Sequence, residues 1–534
     1  MTKFPTRVVV ALVVLAVGPL AASASARIDS GELWRDLADL SAEASAKVEA
    51  AYGSEGGQSG EDLPRRQLES GMTFLNGERY TEALKDFQAI IDSFPKSQVA
   101  DNALLQIAMY QLDIAQDLAA TQSAVDQLLK IYPDTDSAPM AHVLGGRVAM
   151  ATGRSASEVD AAVASFERVE RLFPGNDAVP AAGFYAGEAL RLVRRYEDAL
   201  DRYRRVSASY PSSPWAARAN LAAGYCLVLA DRAPAALPEV QRVRQMMPQS
   251  AEAQTALNIN SILYRLHVRA PAAPAFAFTG RFIGDERANF DDVVGIRVDG
   301  LGRILLGHSK GIALFDPKGT LSSTVSANKP SAFFLDESNR VVFAREGSLH
   351  TERVASLPLT VPQVAPKPPK PLEDIPSVVV LTSTGHRIVV DKKEKTVIRY
   401  GADGRYLGPF VPSINTERLA VNALDDVAMI DKDAKAINIL DRDGKPLSRI
   451  LAKGPNYQLD EPVDLAYDRL GYLYVLDRGK ASVLVFGPRN RLITNFTIAE
   501  KAPGAFTRAR ALAIDGAGRL YIFDERAKRI QVYQ

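Results

Sequence analysis

RALAIDGAGRLYIFDERAKRIQVYQ, residues 510–534, decides the reading of the second half of this chain. Two strand-like runs, Arg519–Phe523 and Arg529–Tyr533, flank a polar turn, and a further run precedes them. Upstream, PVDLAYDRLGYLYVLDRGKASVLVFGPRNRLITNFTI (462–498) has the same design with four runs: Val463–Tyr467, Tyr472–Leu476, Ser482–Phe486 and Leu492–Ile498. The 510–534 unit lacks the fourth. A sheet ending there would expose an unpaired edge, which invites aggregation. A spare strand-like segment, AFTGRFIG (277–284), stands ahead of the first unit. It predicts a pairing with Arg529–Tyr533 that closes a ring of sheets.

Further units begin near Val293, Ser331, Val378 and Glu417, with turn signals every 8–12 residues, as an all-β fold requires. An aspartate ends the second strand in four units: Asp391, Asp431, Asp477 and Asp524. A carboxylate there accepts hydrogen bonds from backbone N–H groups of the turn and fixes the hairpin. The first two units depart, with LLGHSKG (305–311) and FAREGS (343–348) at this place. The six units resemble the NHL repeat. That resemblance implies a six-bladed β-propeller over 277–534.

The first half follows another period. Phe94-Pro95, Tyr132-Pro133, Phe173-Pro174, Tyr210-Pro211 and Met247-Pro248 place prolines 38, 41, 37 and 37 residues apart. Two blocks of helical spacing lie between successive prolines, each of which ends a second helix. In GFYAGEALRLVRRYEDALDRYRRVSASYP (183–211), Gly187 and Ala199 are twelve apart, as are Gly71 and Ala83, and Gly224 and Ala236. Small residues let two antiparallel helices approach, and Tyr196 and Tyr203 fill the space beside them. The second repeat has Met109 and Thr121 at these positions, and the third carries an insertion near Gly153–Glu158. The pattern resembles the tetratricopeptide repeat in the long form of bacterial cell-division-coordinator and outer-membrane-assembly proteins. It implies about five repeats over 65–268. The expected fold is therefore multidomain, α then all-β: an α-solenoid followed by a β-propeller.

Lys3 and Arg7, the apolar run Val8–Ala22 and Ala24-Ser25-Ala26 form a secretory signal pattern over 1–26. The expected mature chain is exported, into the periplasm of a Gram-negative bacterium, with no stable membrane span after cleavage. Residues 27–64 read as a short helix (Glu32–Tyr52) and the flexible GSEGGQSGED. RAPAAPAFA (269–277) carries a Pro/Ala linker at 269–276. A Pro-rich insertion at 358–376 (VPQVAPKPPKPLEDIP from 361) reads as a protruding polyproline II loop. The sole cysteine, Cys226, sits in an apolar helical run and reads as a buried structural thiol.

Chemistry is sparse. The net charge of +1 argues against a nucleic-acid partner. His308, His350 and His386 fall in the first three blades but at unlike positions, so they do not read as zinc ligands. DKDAK (431–435) and DRDGK (441–445) lack the late glutamate of a calcium loop and read as hairpin turns. No nucleotide-binding, nucleophile-elbow or zinc-helix motif occurs. The expectation is no catalytic residue, no cofactor and no metal. The arginine-rich stretch 191–205 is interleaved with acids and reads as an ion-paired face.

First helices of stacked pairs line the concave side of a solenoid. The resemblance therefore places Leu68, Met72, Tyr110, Arg147, Phe184, Glu188, Arg191, Leu221 and Tyr225 near a groove suited to a peptide or partner helix. The function expected is a non-catalytic scaffold binding envelope proteins or peptide segments through groove and propeller surface, or a cell-wall or surface glycan. The alternatives are a propeller enzyme (a lyase or glycan-active protein) and a sensor of a sugar or other small ligand.

Overall fold

The structure is a computed structural model that describes residues 61–115, 117–153, 156–269, 274–284, 290–336, 339–351, 356–363, 367–498 and 501–534. The expected signal peptide and the Glu32–Tyr52 helix lie outside them. The described residues form two compact units. One runs to Cys226 and takes in Gln245–Pro248; the other comprises Leu227–Arg244 and Gln249–Gln534.

Among the described residues eleven α-helices follow one another: α1 Asp62–Asn76, α2 Tyr80–Ser93, α3 Ala100–Asp113, α4 Leu118–Ile131, α5 Ala138–Thr152, α6 Ala156–Leu172, α7 Ala178–Leu192, α8 Tyr196–Ser209, α9 Pro214–Leu229, α10 Ala233–Met246 and α11 Ala251–Leu263. In the first unit they pair as tetratricopeptide hairpins, α1 with α2 through α7 with α8. Glycine makes the close approach possible. A Cβ at Gly71, Gly146 or Gly187 would lie 2.5 Å from the ring of Phe87, Phe166 or Tyr203 respectively. The hairpins stop where expected: the N–H groups of Phe94, Tyr132 and Tyr210 make the last backward bond, and proline follows each. The Tyr132 hydroxyl donates to the Pro95 carbonyl at 2.7 Å, tying one turn to the preceding one. First helices also pack on each other, α3 on α5 and α5 on α7. Cys226 is buried and free, and burial pushes its thiol up to about 12, too high for a nucleophile at neutral pH.

The second unit carries six four-stranded antiparallel sheets. Blades 1 to 5 span residues 295–326, 332–358, 378–411, 419–450 and 462–497. Blade 6 takes three strands from 509–533 and its fourth from Phe278–Ile283. Innermost strands touch in the order 1-2-3-4-5-6-1, so the ring is complete. Phe278 pairs with Tyr533, Phe282 with Gln531 and Ile283 with Ile530, as the sequence predicts. Ala277 and Gln534 exchange backbone bonds of 2.9 and 3.0 Å. The register shifts between Phe278 and Phe282, where Gly280 takes φ +77°. The fully buried Tyr533 ring meets Phe278 and Phe496, with centroids 5.7 and 5.3 Å away. Closure thus satisfies an edge and completes an aromatic core.

The 358–376 segment departs from a solvated polyproline II loop. Thr360–Val361 pairs with Lys370–Pro371, and Leu359, Leu372 and Ile375 are buried with the blade 2 and 3 core. These apolar residues between the prolines anchor the insertion. In the same unit α11 continues as a π-helical turn, Tyr264–Val268, against blades 5 and 6. His267 Nε2 lies 2.6 Å from the Tyr472 hydroxyl, Arg265 donates to the Gly518 carbonyl, and Asp231 pairs with Arg491 at 2.8 Å.

Candidate functional site

The nine residues of the expected groove all sit on first helices: Leu68 and Met72 on α1, Tyr110 on α3, Arg147 on α5, Phe184, Glu188 and Arg191 on α7, and Leu221 and Tyr225 on α9. Leu68, Met72, Tyr110 and Tyr225 are partly exposed, and the other five are buried. The charged members are neutralised inside the fold. Arg147 pairs with Asp113 at 2.5 Å and lies 4.9 Å from the centre of the Tyr185 ring. Arg191 pairs with Glu188 at 2.6 Å, and the Tyr203 hydroxyl donates to the same carboxylate at 2.5 Å. Burial works to strip the proton from Arg147 and Arg191, but Asp113 and Glu188 outweigh it, and both hold their protons more tightly than a free arginine. Phe184 packs among Tyr185, Tyr203 and Trp215, with centroids 5.2–5.8 Å away. What remains accessible among the nine is apolar and aromatic. Tyr110 is joined by Tyr80, 5.5 Å away, which the repeat pattern does not mark because Tyr80 begins a second helix. Asp113, the partner of Arg147, also went unread; it lies one repeat earlier in the chain and carries no periodic signature.

The arginine stretch behaves as an ion-paired face. Arg195 bridges Asp160 and Asp198, and Arg202 pairs with Glu167.

A second concave feature lies at the axis of the propeller, where innermost strands begin. It is lined by residues of five blades: Val294, Gly295 and Arg297; Ala332 and Phe333; Pro376, Ser377 and Val378; Arg418 and Leu419; and Asp464. The free space holds about one water. Asp464 accepts from Leu465 N–H at 3.0 Å and from Leu512 N–H, in blade 6, at 2.8 Å. Arg418 Nε stands 3.7 Å from its carboxylate and Arg418 Nη1 donates to the Pro376 and Glu417 carbonyls. Arg297 donates to its neighbouring Ile296 carbonyl at 2.8 Å and lies 5.8 Å from the centre of the Phe333 ring. It makes no ion pair among the described residues. Burial lowers its pKa, and Arg418 adds to that while Asp464 opposes it.

The histidines stay apart. His308 packs edge-on to Phe290 and His350 stacks on Phe343. Among the described residues no three His, Cys, Asp or Glu side chains converge with metal-binding spacing. The strand-ending aspartates fix hairpins: Asp391 accepts from Glu394 N–H, Asp431 from Ala434 N–H, Asp477 from Lys480 N–H and Asp524 from Arg526 and Ala527 N–H. Where blade 1 lacks the aspartate, His308 Nδ1 takes a longer bond, 3.4 Å, from Lys310 N–H. Asp441 accepts from Asp443 and Lys445 N–H at 2.9 Å, so DRDGK is a turn.

Comparison with known proteins places the helical part. The outer membrane lipoprotein family YfiO matches residues 62–176, and a tetratricopeptide-repeat family matches 181–213. No curated protein matches the chain. Among solved structures, a streptogramin B lyase shares 10% identity, covering 48% of this chain and 97% of its own, with a TM-score of 0.36. A gluconolactonase from Xanthomonas campestris shares 17% identity over 49% of this chain and 95% of its own, with a TM-score of 0.36. A thermophilic TPR protein from Thermus thermophilus shares 14% over 37% of this chain and 98% of its own, with a TM-score of 0.30. No helix among the described residues is long and apolar enough to cross a membrane.

Proposed function

We propose that this chain is a non-catalytic, exported adaptor that binds protein partners of the bacterial envelope through the first-helix face of its solenoid. The observation that supports this best is the character of that face. Its accessible members, Leu68, Met72, Tyr110 and Tyr225, are apolar or aromatic, while its arginines are already held by Asp113 and Glu188. Such a surface suits the apolar stripe of a partner helix or peptide, which gains from burial and needs no charge complement. An acidic tail is a poor match, because capturing it would mean breaking buried ion pairs. The match to an outer membrane lipoprotein family over 62–176 supports an envelope setting, and the basic-apolar-small pattern of residues 1–26 supports export.

The test is affinity capture from envelope extracts by the full chain, followed by reconstitution with the purified partner. Met72→Asp and Tyr225→Asp each put a charge on a partly exposed position. The expected result is a partner retained by the wild type and bound at least about tenfold more weakly by both variants, with melting unchanged. Equal affinity for all three would remove the groove from the account.

A further inference from the structure

The axial mouth of the propeller holds an uneven set of charges. Arg297 and Arg418 each bring a guanidinium, against the single carboxylate of Asp464. That carboxylate is already committed: two backbone N–H groups from blades 5 and 6 donate to it, and Arg418 stands beside it. Arg297 is left with a carbonyl and an aromatic face. The nearby Arg510 does not change the balance, because its Nε turns to the Val293 carbonyl at 3.4 Å and its charge faces Glu525 at 4.0 Å. Ser377 adds a hydroxyl whose oxygen accepts from Leu419 N–H at 3.2 Å, which leaves its proton to donate. Asp464 attracts Arg297 but is shared with Arg418, so the mouth keeps one positive charge in excess, and an incoming anion offsets the cost of that desolvated cation.

We propose that this mouth is a carboxylate socket, in which Arg297 and Arg418 grip one carboxylate head group and the Ser377 hydroxyl donates to it. The planar guanidinium fork matches a carboxylate in two parallel bonds. The enclosed space, about that of one water, admits one oxygen of a planar head group with its carbon at the mouth, and a bulkier tetrahedral oxyanion fits it less well. The inference is independent of what occupies the helical groove. The same chemistry could come from a small organic acid or from the terminal carboxylate of a peptide.

The test uses the full chain at fixed ionic strength. Acetate is titrated first, with chloride and sulfate as comparison anions, while the melting temperature and the line width of 13C-labelled acetate are followed. Acetate is expected to raise the melting temperature saturably and to broaden, with chloride and sulfate having little effect. Arg297→Met is expected to weaken acetate binding about tenfold or more. Without acetate this variant is expected to melt at or above the wild-type temperature, because an unpaired cation beside Arg418 has gone. Arg297→Gln serves as a second, polar variant with the same expectation for acetate. Gluconate and a tripeptide, each against its neutral amide, then distinguish the sources. A preference for either acid over its amide supports the socket. Equal effects of chloride and acetate, failure of all three carboxylates, or undiminished acetate binding by both variants would overturn it.

Discussion

Asp524 accepts four backbone N–H bonds of 2.8–2.9 Å: from Arg526 and Ala527 in its own hairpin, and from Thr507 and Arg508 in the approach to the blade's first strand. Asp391, at the equivalent place in blade 3, accepts one, from Glu394 N–H at 3.2 Å. Truncation strands buried donors in proportion to the bonds lost. Asp524→Ala is therefore expected to cost about 3 kcal/mol and Asp391→Ala about 1 kcal/mol in urea unfolding. Equal costs would mean that the bond count does not set the contribution. The hairpin half of this arrangement was legible because aspartate recurs at one place in four units. The bonds to Thr507 and Arg508 were not, because backbone donors carry no residue signature. His267 gives a pH expectation. Burial lowers its pKa, helped by Arg491 and opposed by Asp231. A histidine whose folded pKa is depressed keeps its full contribution above the unfolded value near 6.5 and loses it as pH falls toward the folded value. The His267 contribution is expected to decline from about pH 6.5 downward, against the opposite trend of Asp468, whose carboxyl burial pushes up to about 7. His267→Gln should remove that part of the pH dependence, with His308, also lowered by burial, keeping its own. An unchanged slope in chemical unfolding at pH 5, 6 and 7 would contradict this.

At the scale of the element, the closing strand and the helical hairpin carry the energetics. Ile283 is 1% exposed and pairs with Ile530 in the core shared by blades 1 and 6. Ile283→Ala is expected to cost about 2–4 kcal/mol, read as a lower urea midpoint. A loss below about 1 kcal/mol would show that the ring does not depend on this strand. In α7, Gly187→Ala gains about 1 kcal/mol of helix propensity but drives a methyl into the Tyr203 ring, 2.5 Å away. That ring is fully buried and its hydroxyl is bound to Glu188, so it cannot swing aside. Overpacking wins, and a net loss of about 1–2 kcal/mol is expected by thermal unfolding. Both elements were readable for the same reason: a spare strand and a missing strand balance, and small residues twelve apart mark a close helix pair. The 358–376 insertion was misread because its prolines outvoted Leu359, Leu372 and Ile375, whose spacing has no regular period.

The whole molecule combines two repeat architectures, each folded around its own core. Repetition made the architecture legible, since one pattern seen several times carries far more weight than one seen once. The candidate surfaces were less legible. Repeat position puts Arg147, Glu188 and Arg191 on first helices, but only the folded chain brings Arg147 to Asp113 or leaves Arg297 beside Arg418 at the propeller axis. An adaptor requires one helical face to be apolar and accessible over several repeats. The most direct test of this is site-specific photo-crosslinking of the full chain in the living envelope. A photoreactive phenylalanine analogue replaces Met72, Tyr110 or Tyr225 on first helices, and Ile131 or Leu172, half-exposed on second helices, for comparison. The account predicts one protein adduct shared by the three first-helix positions and absent from the two second-helix positions. Adducts confined to Ile131 and Leu172, or equal at all five positions, would contradict it.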